Sequence, residues 1–197
     1  LVGPEGLVIA NEPSRDRLAT LRANFKRQNL LQTATCSYPG QQLPLPDESI
    51  SAILLDPPCS GWGVAEKHPK VKELWTGDKV EALVRLQREL LAEASRILAP
   101  GGRIIYSTCT TNVQENEDQV LWAMQELGLL LKPLSPVQGM AFCSSERDSV
   151  QGVLRVDESS SGDQGHFAAR LEKPGTIHNT ERQQQDIPKG GTLLSMD

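Results

Sequence analysis

Long apolar runs are missing from this chain: no stretch approaches the roughly 20 residues that a membrane-spanning helix needs, so no span is expected in its 197 residues. The opening Leu1-Val2-Gly3-Pro4 lacks the basic n-region of a signal peptide, and a cytoplasmic location is the expectation. Cysteine is sparse. Cys36, Cys59, Cys109 and Cys143 form no Cys-x-x-Cys pair, so neither a zinc site nor a disulfide framework is expected and the thiols are read as reduced. Positive charge is not in excess either: 20 Lys and Arg face 25 Asp and Glu, a formal charge of -5. That balance argues against a protein that coats nucleic acid through a general basic surface. It leaves room for a local basic patch, and Lys67, Lys70 and Lys72 lie close together in sequence.

What is present is an alternation of β-type runs and helical patterns. Leu7-Val8-Ile9-Ala10 reads as a strand ending in Asn11-Glu12-Pro13, and Ser14 then caps a helix with Leu18, Leu21 and Phe25 on one face. A short strand over Ala34 to Ser37 precedes a Pro- and Gly-rich connection. Ile50 to Leu55 is nearly continuous in apolar residues, the pattern of a strand buried on both faces.

The segment from Asp56 to Thr76 is polar and punctuated by Gly and Pro, and reads as a functional loop. Asp78 with Glu81 predicts a capping box for a long amphipathic helix ending before Pro100-Gly101-Gly102. Arg103 to Ser107 is the next strand, and Asn112 with Glu115 predicts the cap of another helix through Val120, Leu121, Met124 and Leu127. Leu129 to Leu134 and His166 to Leu171 are weaker strand patterns. From about residue 174 the chain is polar, without apolar period, and reads as a tail or linker after a domain spanning 1–173. The alternation predicts a three-layer α/β sheet with helices on both faces.

Two cysteines occupy comparable places in this pattern. Cys59, in Leu55-Asp56-Pro57-Pro58-Cys59-Ser60-Gly61, and Cys109, in Tyr106-Ser107-Thr108-Cys109-Thr110, each follow a predicted strand. Open α/β sheets keep their chemistry outside the carboxyl ends of such strands. Pro57 and Pro58 fix φ and remove two backbone donors, which holds the loop extended, and Gly61 and Gly63 permit close backbone approach.

The order Asp-Pro-Pro-Cys-Ser-Gly, long helix, Pro-Gly-Gly, strand, Ser-Thr-Cys resembles the RNA cytosine-C5 methyltransferases of the Nop2/Sun (Fmu) family, from about Gly6 to about Lys173. The resemblance implies a Rossmann-like class I fold, S-adenosylmethionine as methyl donor, and ribosomal or transfer RNA as substrate. It implies that Cys109 is the nucleophile, that Cys59 assists product release and that Asp56 contacts the base at ring nitrogen 3. Carbon 5 of cytosine is a poor nucleophile, and a thiolate adding at carbon 6 pushes electron density onto it, splitting one difficult step into easier ones. Such a base must be unpaired or flipped out.

By the same resemblance Glu12, with Asp56 and Pro57, falls on the donor side, the acid after the first strand meeting ribose hydroxyls as in Rossmann-like proteins. Pro58, Ser60, Gly61, Lys67 and His68 fall on the substrate side. Gln87-Arg88-Glu89-Leu90, Glu115-Asn116-Glu117 and the late strand at His166 also resemble family positions. Where the family carries an Asp against adenine, this chain reads Thr35-Cys36-Ser37-Tyr38.

A strand and an Ala-Pro-Gly-Gly-Lys type turn that open the family's fold have no counterpart before Leu7. The absent strand would be the central one, flanked by the Leu7 to Ala10 and Ile50 to Leu55 strands, so two unpaired edges are expected and the domain is read as partial. Two further readings compete. One is an amino-methyltransferase, in which Asp-Pro-Pro and an aromatic residue hold an exocyclic nitrogen; here the fourth position is Cys59. The other is a non-catalytic RNA-binding module.

Overall fold

The computed structural model describes residues 2–3, 5–65, 70–71, 77–135, 143–156 and 164–175. The polar segment beyond residue 175 and the Ser-rich run at 159–163 lie outside them. Strand β1 (Val8–Asn11) leads into helix α1 (Arg15–Arg27), whose N-cap is Ser14, with its side chain accepting from the Arg17 N–H. β2 (Thr33–Cys36) returns parallel to β1, and α1 packs against it.

β3 (Ile50–Leu55) leads through the Asp56 segment to the long helix α2 (Asp78–Ile97), then β4 (Leu98–Thr108) and α3 (Glu117–Glu126). β5 (Leu130–Lys132), β6 (Leu154–Val156) and β7 (His166–Glu172) follow among the described residues. The strands form two sheets. One is the β1-β2 pair; the other has the order β3-β4-β7-β5, with β6 also on β7. β3 and β4 are parallel, and β7 runs antiparallel to β4, β5 and β6. Among the described residues β1 therefore pairs only with β2 and β3 only with β4, which are the two open edges expected from the sequence.

The core follows from strand alternation. Ile104, Tyr106 and Thr108 of β4 are buried, while Ile105 and Ser107 between them are half-buried. Leu91 and Ala94 of α2 and Val120 and Ala123 of α3 pack onto that face, which Phe167, Ala169 and Leu171 of the neighbouring β7 extend. Burying a side chain such as Leu91 contributes roughly 1.5–3 kcal/mol. α1 contributes nothing to this cluster, since it serves the other sheet.

Several local expectations are corrected. β3 reads as buried on both faces, yet Leu54 is 75% exposed, because side chains alternate between the faces of the strand and only the face of Ile53 and Leu55 packs against the core. The capping box at Asp78 does not form: Gly77, at φ 52°, is the N-cap, its carbonyl accepts from Val80 and Glu81, and Asp78 sits inside the first turn. Asn112 does cap, but it caps a 3-10 turn (Val113–Glu115), and Glu115 faces inward instead of closing a capping box. The predicted Arg103–Ser107 strand extends over Leu98–Thr108, since its N-terminal part pairs with Ile50. β6 has no clear period in sequence. It is held by Arg155, whose buried guanidinium bonds both oxygens of the fully buried Glu117 and the Thr111 carbonyl.

Candidate active site

The parallel register of β3 and β4 pairs Leu55 with Tyr106, so both strands end on the same side of the sheet. Asp56 is exposed just past the end of β3, Pro57 is buried behind it, and Cys59 follows; Cys109 follows Thr108 at the end of β4. The two thiols meet, Sγ to Sγ 3.2 Å, and both are half-buried. Fifty residues of sequence separate them, and the register alone removes that separation.

The contact makes the thiols unequal. The hydrogen bond from Cys59 is the main reason that the Cys109 thiol is lowered to about 7, against burial and the nearby charges of Asp56 and Glu115, which push it up. Cys59 is pushed far up, first because it keeps the shared proton and next by burial. The contact thus favours the thiolate on Cys109, with Cys59 as the donor that stabilises it. Tyr106 lies beneath, with its phenol donating to the Glu115 carbonyl at 2.6 Å, and burial holds it protonated.

The two cysteine loops are tied together next to the thiols. Ser60 and Thr110, the residues that follow each cysteine, are both buried, and their hydroxyls lie 2.8 Å apart. The Gly63 N–H donates to the Cys109 carbonyl at 3.2 Å and its own carbonyl accepts from Gly165 at 2.7 Å. No side chain fits at Gly63: a Cβ would stand 2.1 Å from the Gly165 oxygen. Gly61 adopts φ 67°, a left-handed conformation that glycine takes without strain.

Beneath the Cys59 loop lies a buried polar network. Glu115 is fully buried; its carboxylate accepts from the Ser60 N–H at 2.9 Å, Gln87 Nε2 at 3.0 Å and Asn112 Nδ2 at 3.0 Å. Gln87, also fully buried, donates to the Pro58 carbonyl at 2.9 Å. Asn116 accepts from the Thr108 hydroxyl at 2.6 Å and donates to the Thr110 carbonyl at 2.8 Å. The sequence places Gln87 and Glu115 only in segments that resemble family positions and gives neither a role in the site. A signal existed, because Gln87 interrupts the apolar stripe of α2 midway between the buried Leu83 and Leu91.

The structure brings together Asp56, Pro57, Pro58, Cys59, Ser60, Gly61 and Cys109. Lys67 and His68 lie outside the described residues, and Lys70 is exposed. Glu12 stands apart, at the end of β1 in the other sheet. Its carboxylate accepts from the Ser14 N–H at 2.8 Å and pairs with Arg17, and the Ser14 bond foremost holds it below the usual carboxylate range. Among the described residues no group of three or more His, Cys, Asp or Glu could hold a metal ion.

Residues 1–172 match the family described as 16S rRNA methyltransferase RsmB/F. Over 179 residues the chain is 37% identical to the ribosomal RNA small subunit methyltransferase F of Serratia proteamaculans, covering 90% of this chain and 37% of that protein. The structure of NSun6 from Pyrococcus horikoshii with SFG superposes with a TM-score of 0.70 at 32% identity, over 85% of this chain and 41% of that one. A methyltransferase homologue protein, also from Pyrococcus horikoshii, gives 0.68 at 26% identity over 85% and 53%. The chain thus spans well under half the length of the curated relative it matches.

Proposed function

The chain belongs to the RsmB/F family of 16S rRNA methyltransferases, and from that premise we propose that it carries the centre for methyl transfer to carbon 5 of a cytosine in structured RNA, ribosomal RNA in the first place. The observation that carries this reading is the Cys59–Cys109 contact, which makes one thiol acidic at the carboxyl ends of two parallel strands, beside the Asp56 carboxylate. An amino-methyltransferase has no use for that pair, and a scaffold has no use for an activated thiol.

In the proposed reaction Cys109 Sγ adds to ring carbon 6 and the electron pair moves to carbon 5. Asp56 contacts ring nitrogen 3, and a proton taken up from solvent and held between its carboxyl group and that nitrogen neutralises the negative charge that develops there. S-adenosylmethionine, when bound, supplies the electrophilic methyl group. Once Cys109 Sγ is bonded to carbon, it no longer holds the Cys59 proton; Cys59 can lose that proton to solvent and then take the carbon-5 proton as base. The electron pair of the C5–H bond re-forms the C5–C6 double bond, the bond from Sγ to carbon 6 breaks, and Cys109 departs as thiolate. Pro57 and Pro58 keep the loop rigid beside a flat base, and Ser60 and Gly61 shape its turn; Lys67 is assigned to the RNA side by its place in the lysine cluster just after the Cys59 loop, and His68 by resemblance.

Glu12 fits the donor by its chemistry: it is a carboxylate at the carboxyl end of a parallel strand that leads into a helix, where ribose hydroxyls are held in Rossmann-like folds. Both of its oxygens already accept hydrogen bonds, one of them from the largely exposed Arg17, so a hydroxyl donor has acceptors there once Arg17 swings into solvent. The open edges of β1 and β3, together with exposed Leu7, Val8, Ile9 and Leu54, support the reading that residues 1–173 are part of a methyltransferase domain in which a further strand lies between these edges. A cytoplasmic location follows from a ribosomal RNA substrate; no described helix is long and apolar enough to cross a membrane.

The test is covalent trapping. With RNA and donor, a Cys59→Ala variant of a protein that contains this chain and binds the donor is expected to accumulate an RNA adduct at Cys109, and Cys109→Ala to form none. A Cys109→Ala variant that still methylates RNA would overturn the assignment.

A further inference from the structure

Cys59 is flanked by two backbone groups that are both held from below. The carbonyl before it, on Pro58, accepts from Gln87 Nε2 at 2.9 Å, and the N–H after it, on Ser60, donates to Glu115 Oε2 at 2.9 Å. Gln87 and Glu115 also bond each other at 3.0 Å, and Asn112 Nδ2 donates to the second Glu115 oxygen at 3.0 Å. One buried carboxylate therefore joins the loop that carries Cys59, the middle of α2 and the segment after Cys109. Neither Gln87 nor Glu115 hydrogen-bonds to a thiol. A buried carboxylate and a buried amide at core positions are costly to keep unless something is gained by their directionality.

We propose that Glu115 and Gln87 are positioning residues that hold the Cys59 backbone so that its thiol stays within hydrogen-bond reach of Cys109. The proposal rests on the reading of Cys109 as the activated thiol. Glu115 acts on Cys109 in two opposed ways. Through the loop it keeps the Cys59 donor in place, which favours the thiolate; through space its charge disfavours it. Asp56 is the other charged group facing Cys109, and Tyr106, facing Cys59, is buried and protonated. Removing the Glu115 charge thus gives opposite shifts for the two roles.

The experiment is the pH profile of iodoacetamide alkylation at Cys59 and Cys109 in a protein that contains this chain, read by mass spectrometry of their peptides, with Cys36 and Cys143 as internal references. In the unaltered chain the Cys109 midpoint is expected at about 7. Glu115→Gln is expected to move it up toward the ordinary thiol value of about 8.5 and to slow alkylation at neutral pH by up to about 15-fold. A midpoint that falls or does not move, in a variant that melts cooperatively, overturns the proposal, since a through-space or merely structural role gives that result. Gln87→Met removes both donors without changing a charge and is expected to give the same rise, so the question stays open to test if Glu115→Gln does not fold. Cys59→Ala separates the two levels of argument. A rise there with none in Glu115→Gln and Gln87→Met overturns the positioning role alone; no rise there overturns the thiol reading and the proposal with it.

Discussion

The hydroxyls of Ser60 and Thr110 lie 2.8 Å apart, a buried hydrogen bond between the residue after Cys59 and the residue after Cys109. Thr110 Oγ1 also accepts from the Asn112 N–H at 3.2 Å, so this bond closes one loop onto the other beside the thiols. Thr110→Val keeps the shape and strands the Ser60 hydroxyl. A loss of about 1–3 kcal/mol in urea unfolding is expected, and the Ser60→Ala, Thr110→Val double variant should recover part of it. A double variant as costly as the sum of the singles would show that the two hydroxyls do not interact.

The thiol pair gives stability a pH dependence with a maximum. Cys109 has a lowered folded-state value of about 7, so its contribution is present above the unfolded thiol value and is lost as pH falls through 7. Cys59 is raised, so its contribution is present below the unfolded value and is lost as pH rises beyond it. Between about 7 and 8.5 the unfolded chain holds one proton more than the folded one, and above 8.5 the order reverses. The stability difference between the unaltered chain and a Cys59→Ala, Cys109→Ala variant is expected to peak near pH 8.5. A difference that is flat from pH 6 to 10 in denaturant titrations would rule this out.

Gly63 sits where a Cβ would meet the Gly165 oxygen at 2.1 Å and the Cys109 carbonyl at 2.8 Å. Backbone cannot yield as a flexible side chain does, so Gly63→Ala must push the Cys59 loop away from β7. The expected cost is about 1–3 kcal/mol, together with loss of the low Cys109 alkylation midpoint. Gly101→Ala is the comparison: nothing lies within 4 Å of a Cβ there, and only the φ of 75° opposes it.

Glu117 and Arg155 form a pair with almost no exposure, at 2.9 Å, between the start of α3 and β6. Arg155→Met leaves a buried carboxylate without its main partner and is expected to destabilise by about 3–5 kcal/mol. The double change Glu117→Leu, Arg155→Met should cost much less. Thermal melts of the three variants decide, and a double variant no more stable than Arg155→Met would show that β6 needs the charge pair itself.

Local chemistry was legible in sequence wherever one segment contains all of its causes. Ser14 caps α1, the apolar stripe of α2 faces the core, and the strand endings at Asp56 and Cys109 stand where the pattern of apolar runs and turn residues puts them. The failures share a cause. Glu115 has the sequence of a helix-capping residue, but the Ser60 N–H and Gln87 draw its carboxylate inward, and both partners are distant in sequence. Leu54 looks interior because its strand is apolar throughout, whereas its exposure depends on which face of the sheet the core covers. β6 is set by its pairing with β7 and by the Glu117–Arg155 contact rather than by a period.

By itself the sequence determined the alternating α/β plan, the two strand-end cysteines, the Asp-Pro-Pro turn and the resemblance that placed the chain among RNA methyltransferases, because each is written in neighbouring residues and in the spacing between them. Only the tertiary structure decided that the thiols touch and that Cys109 is the acidic one. A proton is shared or kept according to distances of about 3 Å, and such distances arise from strand register and buried hydrogen bonds between segments that the chain order keeps far apart.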